Sequence, residues 1–167
     1  FVLKAEESKV DAFVICGDLT HFGTLQQARH LLSLLTGLRI PVLFVPGNCD
    51  PPSLVGVDIE GASSLHGKSV TYGDLTFIGL GGSPLTPFNT PFELSEEEIM
   101  DTLNSAAKNI PSNSRIVLVS HAPPKNTTLD RTFRGEHAGS LNVRRFIEER
   151  KPAIVFCGHI HEAIGKD

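Results

Sequence analysis

The sequence predicts an α/β fold in which helices pack over β-sheet. Short apolar runs alternate along the chain with segments of helical periodicity, the pattern of a layered α/β domain. The runs are too short for helices and rich in β-branched and aromatic residues. They are continuously apolar instead of alternating, as expected of strands covered on both faces.

Taken in order, residues 2–10 read as the back half of an amphipathic helix, and residues 12–16 (Ala-Phe-Val-Ile-Cys) as the first strand. Residues 41–45, 116–119 and 153–157 repeat that strand type. Between the first two runs, Leu25, Ala28, Leu31, Leu32, Leu35 and Leu38 share one helical stripe, with Thr24 placed as N-cap and Gly37 near the end. Val70-Thr71-Tyr72 and Leu75-Thr76-Phe77-Ile78 flank Gly73-Asp74, which predicts a hairpin, although Gly-Asp is the less common order. Residues 81–94 are too Pro-rich for a helix and predict a long, ordered surface loop over a site. Ser95 followed by Glu98 is a capping box for a helix whose apolar side includes Ile99, Leu103 and Ala106. A third helix begins near Ser140, carries Val143, Phe146 and Ile147, and stops before Pro152. No repeat, low-complexity tract or linker divides the chain, so residues 1–167 read as a single domain.

Composition narrows the function classes. A chain of 167 residues, 40% apolar and 20% charged, can bury a core without disulfides and is not disordered. A net charge of −4 gives no reason to expect nucleic-acid or membrane binding. A small phosphorylated substrate stays compatible, because bound cations reverse the local field. Cys16, Cys49 and Cys157 are odd in number and lack CxxC spacing, which suggests free thiols in a reducing compartment. No apolar stretch approaches the ~20 residues that cross a bilayer, and no signal-peptide pattern opens the chain, so a cytoplasmic protein is expected. Homo-oligomerisation is left open.

The chemistry gathers where the apolar runs end. The first ends in Gly17-Asp18, the second in Gly47-Asn48-Cys49-Asp50, the third in Ser120-His121 and the fourth in Gly158-His159-Ile160-His161. In an open α/β sheet, ligands bind beyond the carboxyl ends of the strands, so these four blocks can build one site. Each alone is weak: Gly-Asp is often a turn, and a single histidine is more often hydrogen-bonded than a ligand. His159 and His161 are stronger together, since alternation along an extended segment puts both imidazoles on one side. Imidazoles with a carboxylate and an amide oxygen suit Mn, Fe, Ni or Zn better than Ca or Mg.

Gly17-Asp18, Gly47-Asn48, His121 and Gly158-His159-Ile160-His161, in this order and spacing, resemble the signature blocks of the calcineurin-like metallophosphoesterases. The resemblance implies a four-layer αββα sandwich of two mixed β-sheets flanked by helices, with two divalent metal ions along the strand ends. It implies that Asp18 bridges both ions, that Asn48, His121 and His159 hold the second, and that His161 joins the first. Water activated between the ions would then attack a phosphodiester or small phosphomonoester. The family opens with an Asp-x-His block, which this sequence does not contain; the expectation is a chain lacking the family's first strand and its terminal strands.

Asn48, Cys49 and Asp50 are the candidate catalytic residues. Cys49 stands where many members carry a histidine that assists the leaving group, and the Gly-Asn-Cys-Asp form resembles a bacterial and archaeal branch of small phosphodiesterases. The thiol either takes that role or is a small buried side chain. Asp50 either orients its neighbours or caps the helix after Pro51-Pro52. His21, Arg134 and His137 are candidates for binding substrate phosphate, with a helix-cap position for His21 and a solvated loop for the other two as the alternatives. The competing function is a catalytically weak scaffold of the same fold acting in protein interaction. A protein Ser/Thr phosphatase is disfavoured by Cys49 and by the compact length.

Overall fold

The computed structural model describes residues 7–166, so the helix read over residues 2–10 lies largely outside the described residues. Strands β1 (Phe13–Cys16), β2 (Val42–Val45) and β3 (Ala62–Ser64) form a parallel sheet in that order. β4 (Ser69–Tyr72) and β5 (Leu75–Leu80) make the expected antiparallel hairpin. After a two-residue parallel pair, β6 (Ser83–Pro84) with β7 (Glu93–Leu94), the chain adds β8 (Arg115–Ser120) and β9 (Ile154–Cys157). The second sheet is mixed, in the order β4-β5-β8-β9.

Among the described residues, three helices cover the outer faces. α1 (Leu25–Thr36) starts at a Thr24–Gln27 capping box and ends at Gly37. α2 (Glu96–Ala106) starts at the Ser95–Glu98 box, with three glutamates in its first turn facing the positive end of the helix dipole. α3 (Leu141–Arg150) is capped by Ser140 and closes on Lys151 in the left-handed region.

Continuous apolar strands acquire two buried faces because successive side chains point opposite ways. Leu43 and Val45 of β2, with Leu65, meet Phe77, Val117 and Val119 between the sheets. Val42 and Phe44 point the other way, onto Ala28 and Leu32 of α1. Ile78, Leu80 and Leu118 pack outward against Ile99 and Leu103 of α2 and Phe146 of α3. The layers are therefore helix, sheet, sheet, helices, the sandwich that the resemblance implied, although only one sheet is mixed and the other is parallel among the described residues. β1 and β9 depart from the expectation of full cover: β1 is half-buried throughout, and Ile154 and Phe156 of β9 are exposed. Both are edge strands among the described residues.

Register sets the strand ends level. Cys16 pairs with Val45 in one sheet, and Leu80, Ser120 and Cys157 align in the other. The residues that follow, Gly17-Asp18, Gly47-Asn48, His121 and Gly158-His159, thus leave the sandwich at one edge. No helix among the described residues is long and apolar enough to cross a membrane.

Truncating the central core should be costly. Leu118 is fully buried, so Leu118→Ala is expected to lower unfolding free energy by about 2–5 kcal/mol. Leu34, 56% exposed, should cost within about 0.5 kcal/mol when truncated, and urea unfolding of both variants compares them.

Candidate metal centre

Two loops, after β1 and after β2, approach each other more closely than side chains allow. A Cβ on Gly47 would overlap the Asp18 carboxylate, and one on Gly17 would lie 2.6 Å from Gly47 Cα. Gly17 also has φ +91°, in the region that favours glycine. Hydrogen bonds join the loops in both directions. Asp50 accepts from the amides of Leu19 (3.0 Å), Thr20 (2.7 Å) and Gly47 (2.9 Å) and from the Thr20 hydroxyl (2.8 Å). Asp18 Oδ1 accepts in turn from the Cys49 amide at 3.0 Å.

The structure brings Asp18, Asn48, His121 and His159 together. His121 Nε2 lies 2.9 Å from Asn48 Oδ1 and 3.6 Å from Asp18 Oδ2, and His159 Nδ1 lies 2.9 Å from the same Asn48 oxygen. His121 Nδ1 is 2.6 Å from the carbonyl oxygen of Cys16, which only accepts, so Nδ1 carries a proton. In a neutral imidazole the Nε2 lone pair then faces two oxygens that also offer lone pairs. Three acceptors turned on one another call for a cation between them, either a metal ion or the second proton of the ring. His121 is 1% exposed and Asn48 5%, so water relieves little of this.

Counting only His, Cys, Asp and Glu, no group of three among the described residues is arranged to hold a metal ion; the Asn48 amide completes the convergence. Imidazole, amide and carboxylate donors fit a borderline divalent ion, with Asn48 Oδ1, His121 Nε2, His159 Nδ1 and Asp18 Oδ2 as the atoms that would hold it. Burial first, and then the neighbouring His121, depress His159 to about 4, leaving it neutral and able to donate a lone pair at physiological pH. Asp18 and His159 both sit in the left-handed region, at φ +51° and +68°, where Asp and His are tolerated better than most residues.

The remaining candidates divide. His161 lines the same cavity, of about 620 Å³, but is exposed and makes no hydrogen bond to the four-residue cluster among the described residues. The extended segment expected over residues 159–161 is not formed, because His159 turns left-handed and a 3-10 turn begins at His161. Cys49 is half-buried, with Sγ 3.8 Å from Asn48 Nδ2. Burial, followed by the Asp18 and Asp50 carboxylates, pushes its thiol up to about 11, which suits packing better than proton transfer at neutral pH. Asp50, named with the catalytic candidates and given two readings, has the geometry of the orienting one: it is fully buried, and its two oxygens accept four hydrogen bonds. Nor does it cap the following turn, whose N-cap is Pro51 with no side-chain bond.

His21 faces another cavity, of about 610 Å³, beside Gln27 and His30 of α1, and stacks edge-on against Phe22. Arg134 and His137 lie on a turn, residues 131–137, closed by an Arg131–His137 bridge. This turn is tied to the segment after His161 through the Phe133 amide, which donates to Glu162. His137 Nδ1 donates to the fully buried Asp130 at 2.7 Å, and Arg134 is exposed.

Sequence reasoning missed a layer behind Asn48. Glu93 accepts from the amides and hydroxyls of both Thr86 and Thr90, closing the loop between β6 and β7. Asn48 Nδ2 donates to Thr90 Oγ1 at 3.0 Å. The signal was present as Thr-x-x-Glu spacing at Thr90 and Glu93, the pattern read as a capping box at Ser95, but here it closes a loop around Pro91.

The structure thus gathers carboxylate, amide and imidazole groups at the strand ends of a two-sheet sandwich. The chain belongs to the calcineurin-like phosphoesterase family, whose profile matches residues 2–163. MJ1162, an uncharacterized protein of Methanocaldococcus jannaschii, is 41% identical over 157 residues, covering 92% of this chain and 70% of that protein. A probable cyclic nucleotide phosphodiesterase of Vesicomyosocius okutanii is 26% identical, over 92% of this chain and 64% of its own length. Another of that name, from Rhodopseudomonas palustris, is 24% identical, over 97% and 61%. This chain thus spans less than two thirds of both phosphodiesterase-named relatives. The crystal structure of TT1561 of Thermus thermophilus superposes with a TM-score of 0.70 at 17% identity, over 93% of this chain and 72% of that one, which shows a shared fold.

The Glu93 loop gives a pH signature. Burial alone would raise its carboxyl, but the bonds from Thr86 and Thr90 outweigh that and bring it down to about 2. A depressed carboxylate stabilises the fold fully above its unfolded value of about 4.3 and loses that contribution as pH falls toward the folded value. Urea midpoints measured from pH 5 to pH 2 should therefore fall more steeply in the wild type than in Glu93→Gln; parallel curves would refute the assignment.

Proposed function

We propose that this chain hydrolyses a phosphodiester or small phosphomonoester using divalent cations held at the strand ends. The observation that carries the reading is the mutual approach of Asp18, Asn48, His121 and His159, whose acceptor atoms face one another in a buried corner of an open cavity. Two cations are proposed, with Asp18 bridging, Asn48, His121 and His159 serving one, and His161 serving the other. Bound there, divalent ions acidify water toward neutral pH and offset the charge of phosphoryl oxygens.

The chain's own residues do the positioning. The Cys16 carbonyl fixes the tautomer of His121, and Asp50 holds the two loops at the spacing that brings Asp18 to Asn48. The turn carrying Arg134 and His137 offers a guanidinium and an oriented imidazole beside the segment that follows His161, a suitable pair for phosphate oxygens. A diester is favoured by the Gly-Asn-Cys-Asp block and by the cyclic nucleotide phosphodiesterase names of two relatives. Three unpaired cysteines support a reducing, cytoplasmic setting.

Turnover of bis(p-nitrophenyl) phosphate and p-nitrophenyl phosphate with added manganese tests the proposal. Activity should vanish with chelator, return with metal, and fall at least about 100-fold in His121→Ala, the upper range for losing an outer-shell partner alone. Turnover indifferent to chelation would sink the metal-dependent reading. Stable metal loading without turnover of either ester would favour the interaction scaffold.

A further inference from the structure

An asparagine can serve a metal ion only when its amide stands one way round, with oxygen rather than nitrogen toward the cation. Asn48 has competing pressures on that choice. In a neutral ring, the His121 Nε2 lone pair at 2.9 Å would welcome the amide NH2 in place of Oδ1. The loop between β6 and β7 supplies the opposing pressure through a chain of bonds whose direction is fixed at its far end.

Glu93 as a carboxylate only accepts, so the Thr90 hydroxyl at 2.6 Å must donate to it. Its single proton spent, Thr90 Oγ1 can only accept at the 3.0 Å contact with Asn48, which turns Nδ2 toward Thr90 and Oδ1 toward His121 and His159. The Phe92 amide donates to the Asn48 carbonyl at 3.1 Å, holding the loop and the backbone of Asn48 at a fixed separation. Glu93 is itself pinned by the Thr86 amide at 3.0 Å and its hydroxyl at 2.5 Å, so it cannot swing away without opening the loop.

We propose that Thr90 and Glu93 are positioning residues that orient the Asn48 amide for metal binding, the carboxylate setting the direction and the hydroxyl transmitting it. The inference rests on the reading of Asn48 as a metal ligand. It assigns the Pro-rich loop a role beyond cover. Glutamine in place of Glu93 keeps the shape, but its NH2 must face either the Thr86 amide or the Thr90 amide, both of which only donate, so the closed loop that fixes the Thr90 hydroxyl is broken. The hydroxyl is then free to donate to Asn48, and the amide of Asn48 can reverse.

The test is calorimetric titration of chelator-stripped protein with manganese chloride, for the wild type, Thr90→Val, Thr90→Ser and Glu93→Gln, with thermal unfolding of the metal-free proteins alongside. Thr90→Val and Glu93→Gln should each weaken manganese binding by about 10–100-fold, while Thr90→Ser, which keeps the hydroxyl, stays within about threefold of the wild type. Should Thr90→Val fail to fold, Glu93→Gln carries the test by itself. A wild type that binds manganese, with Glu93→Gln binding equally well, overturns the relay and leaves the metal site standing. Thr90→Ser as weak as Thr90→Val also overturns it, since the hydroxyl would then not be what matters. A wild type that binds no manganese overturns the metal reading itself, and the relay with it.

Discussion

Everything at the strand ends depends on a reciprocal pair of carboxylates linking the loop after β1 to the loop after β2. Asp50, on the second loop, gathers two amides and a hydroxyl from the first as well as the Gly47 amide of its own. Asp18, on the first loop, accepts from the Cys49 amide of the second. Hydrogen bonds to a charged acceptor contribute roughly 1.5–3 kcal/mol each, enough to offset the desolvation of a carboxylate that is wholly buried. The glycines at 17 and 47 permit the approach, and the carboxylates hold it. The division of labour is chemical: Asp50 has no capacity left for a ligand, whereas Asp18 Oδ2 points at the histidines.

A second dependence runs between the sheets. His121 follows β8 of the mixed sheet, but its Nδ1 donates to Cys16 at the end of β1 in the parallel sheet. The imidazole that faces Asn48 is therefore oriented by the opposite layer, and its geometry is only as good as the packing of Leu43, Val45, Val117 and Val119 between them. That bond couples core and site, beside the contacts of His121 and His159 with Asn48. The clustered side chains emerge from strand ends that are in register across each sheet.

Much of this was legible in the residues. The apolar runs ending in Gly17-Asp18, Gly47-Asn48, Ser120-His121 and Gly158-His159 are the four strands that deliver the cluster, and Thr24, Ser95 and Ser140 cap the helices assigned to them. Local pattern failed where pairing is decided by tertiary contact. β3 is Ala-Ser-Ser, with no β-forming side chain, and is a strand because it lies beside β2. β6 contains Pro84 and survives only as a two-residue pair with β7. The side-chain roles that the sequence leaves open or hides are those that depend on direction. Asp50, with two readings open, points back into the loops; His21, likewise open, points toward α1; Thr90, not singled out, points toward Asn48, and spacing along the chain does not decide among them. The same spacing, Ser-x-x-Glu at Ser95 and Thr-x-x-Glu at Thr90, meant a helix start in the first case and a loop closure in the second, because only the former is followed by an unbroken apolar stripe.

Two of the four clustered residues, Asp18 and His159, adopt a backbone hand that L-amino acids resist, at a cost on the order of 1–3 kcal/mol apiece. That cost falls on the two residues whose side chains the polar corner is built from, so glycine at either position would relax the backbone only by forfeiting the group that makes the corner, and stability and site composition pull in opposite senses there.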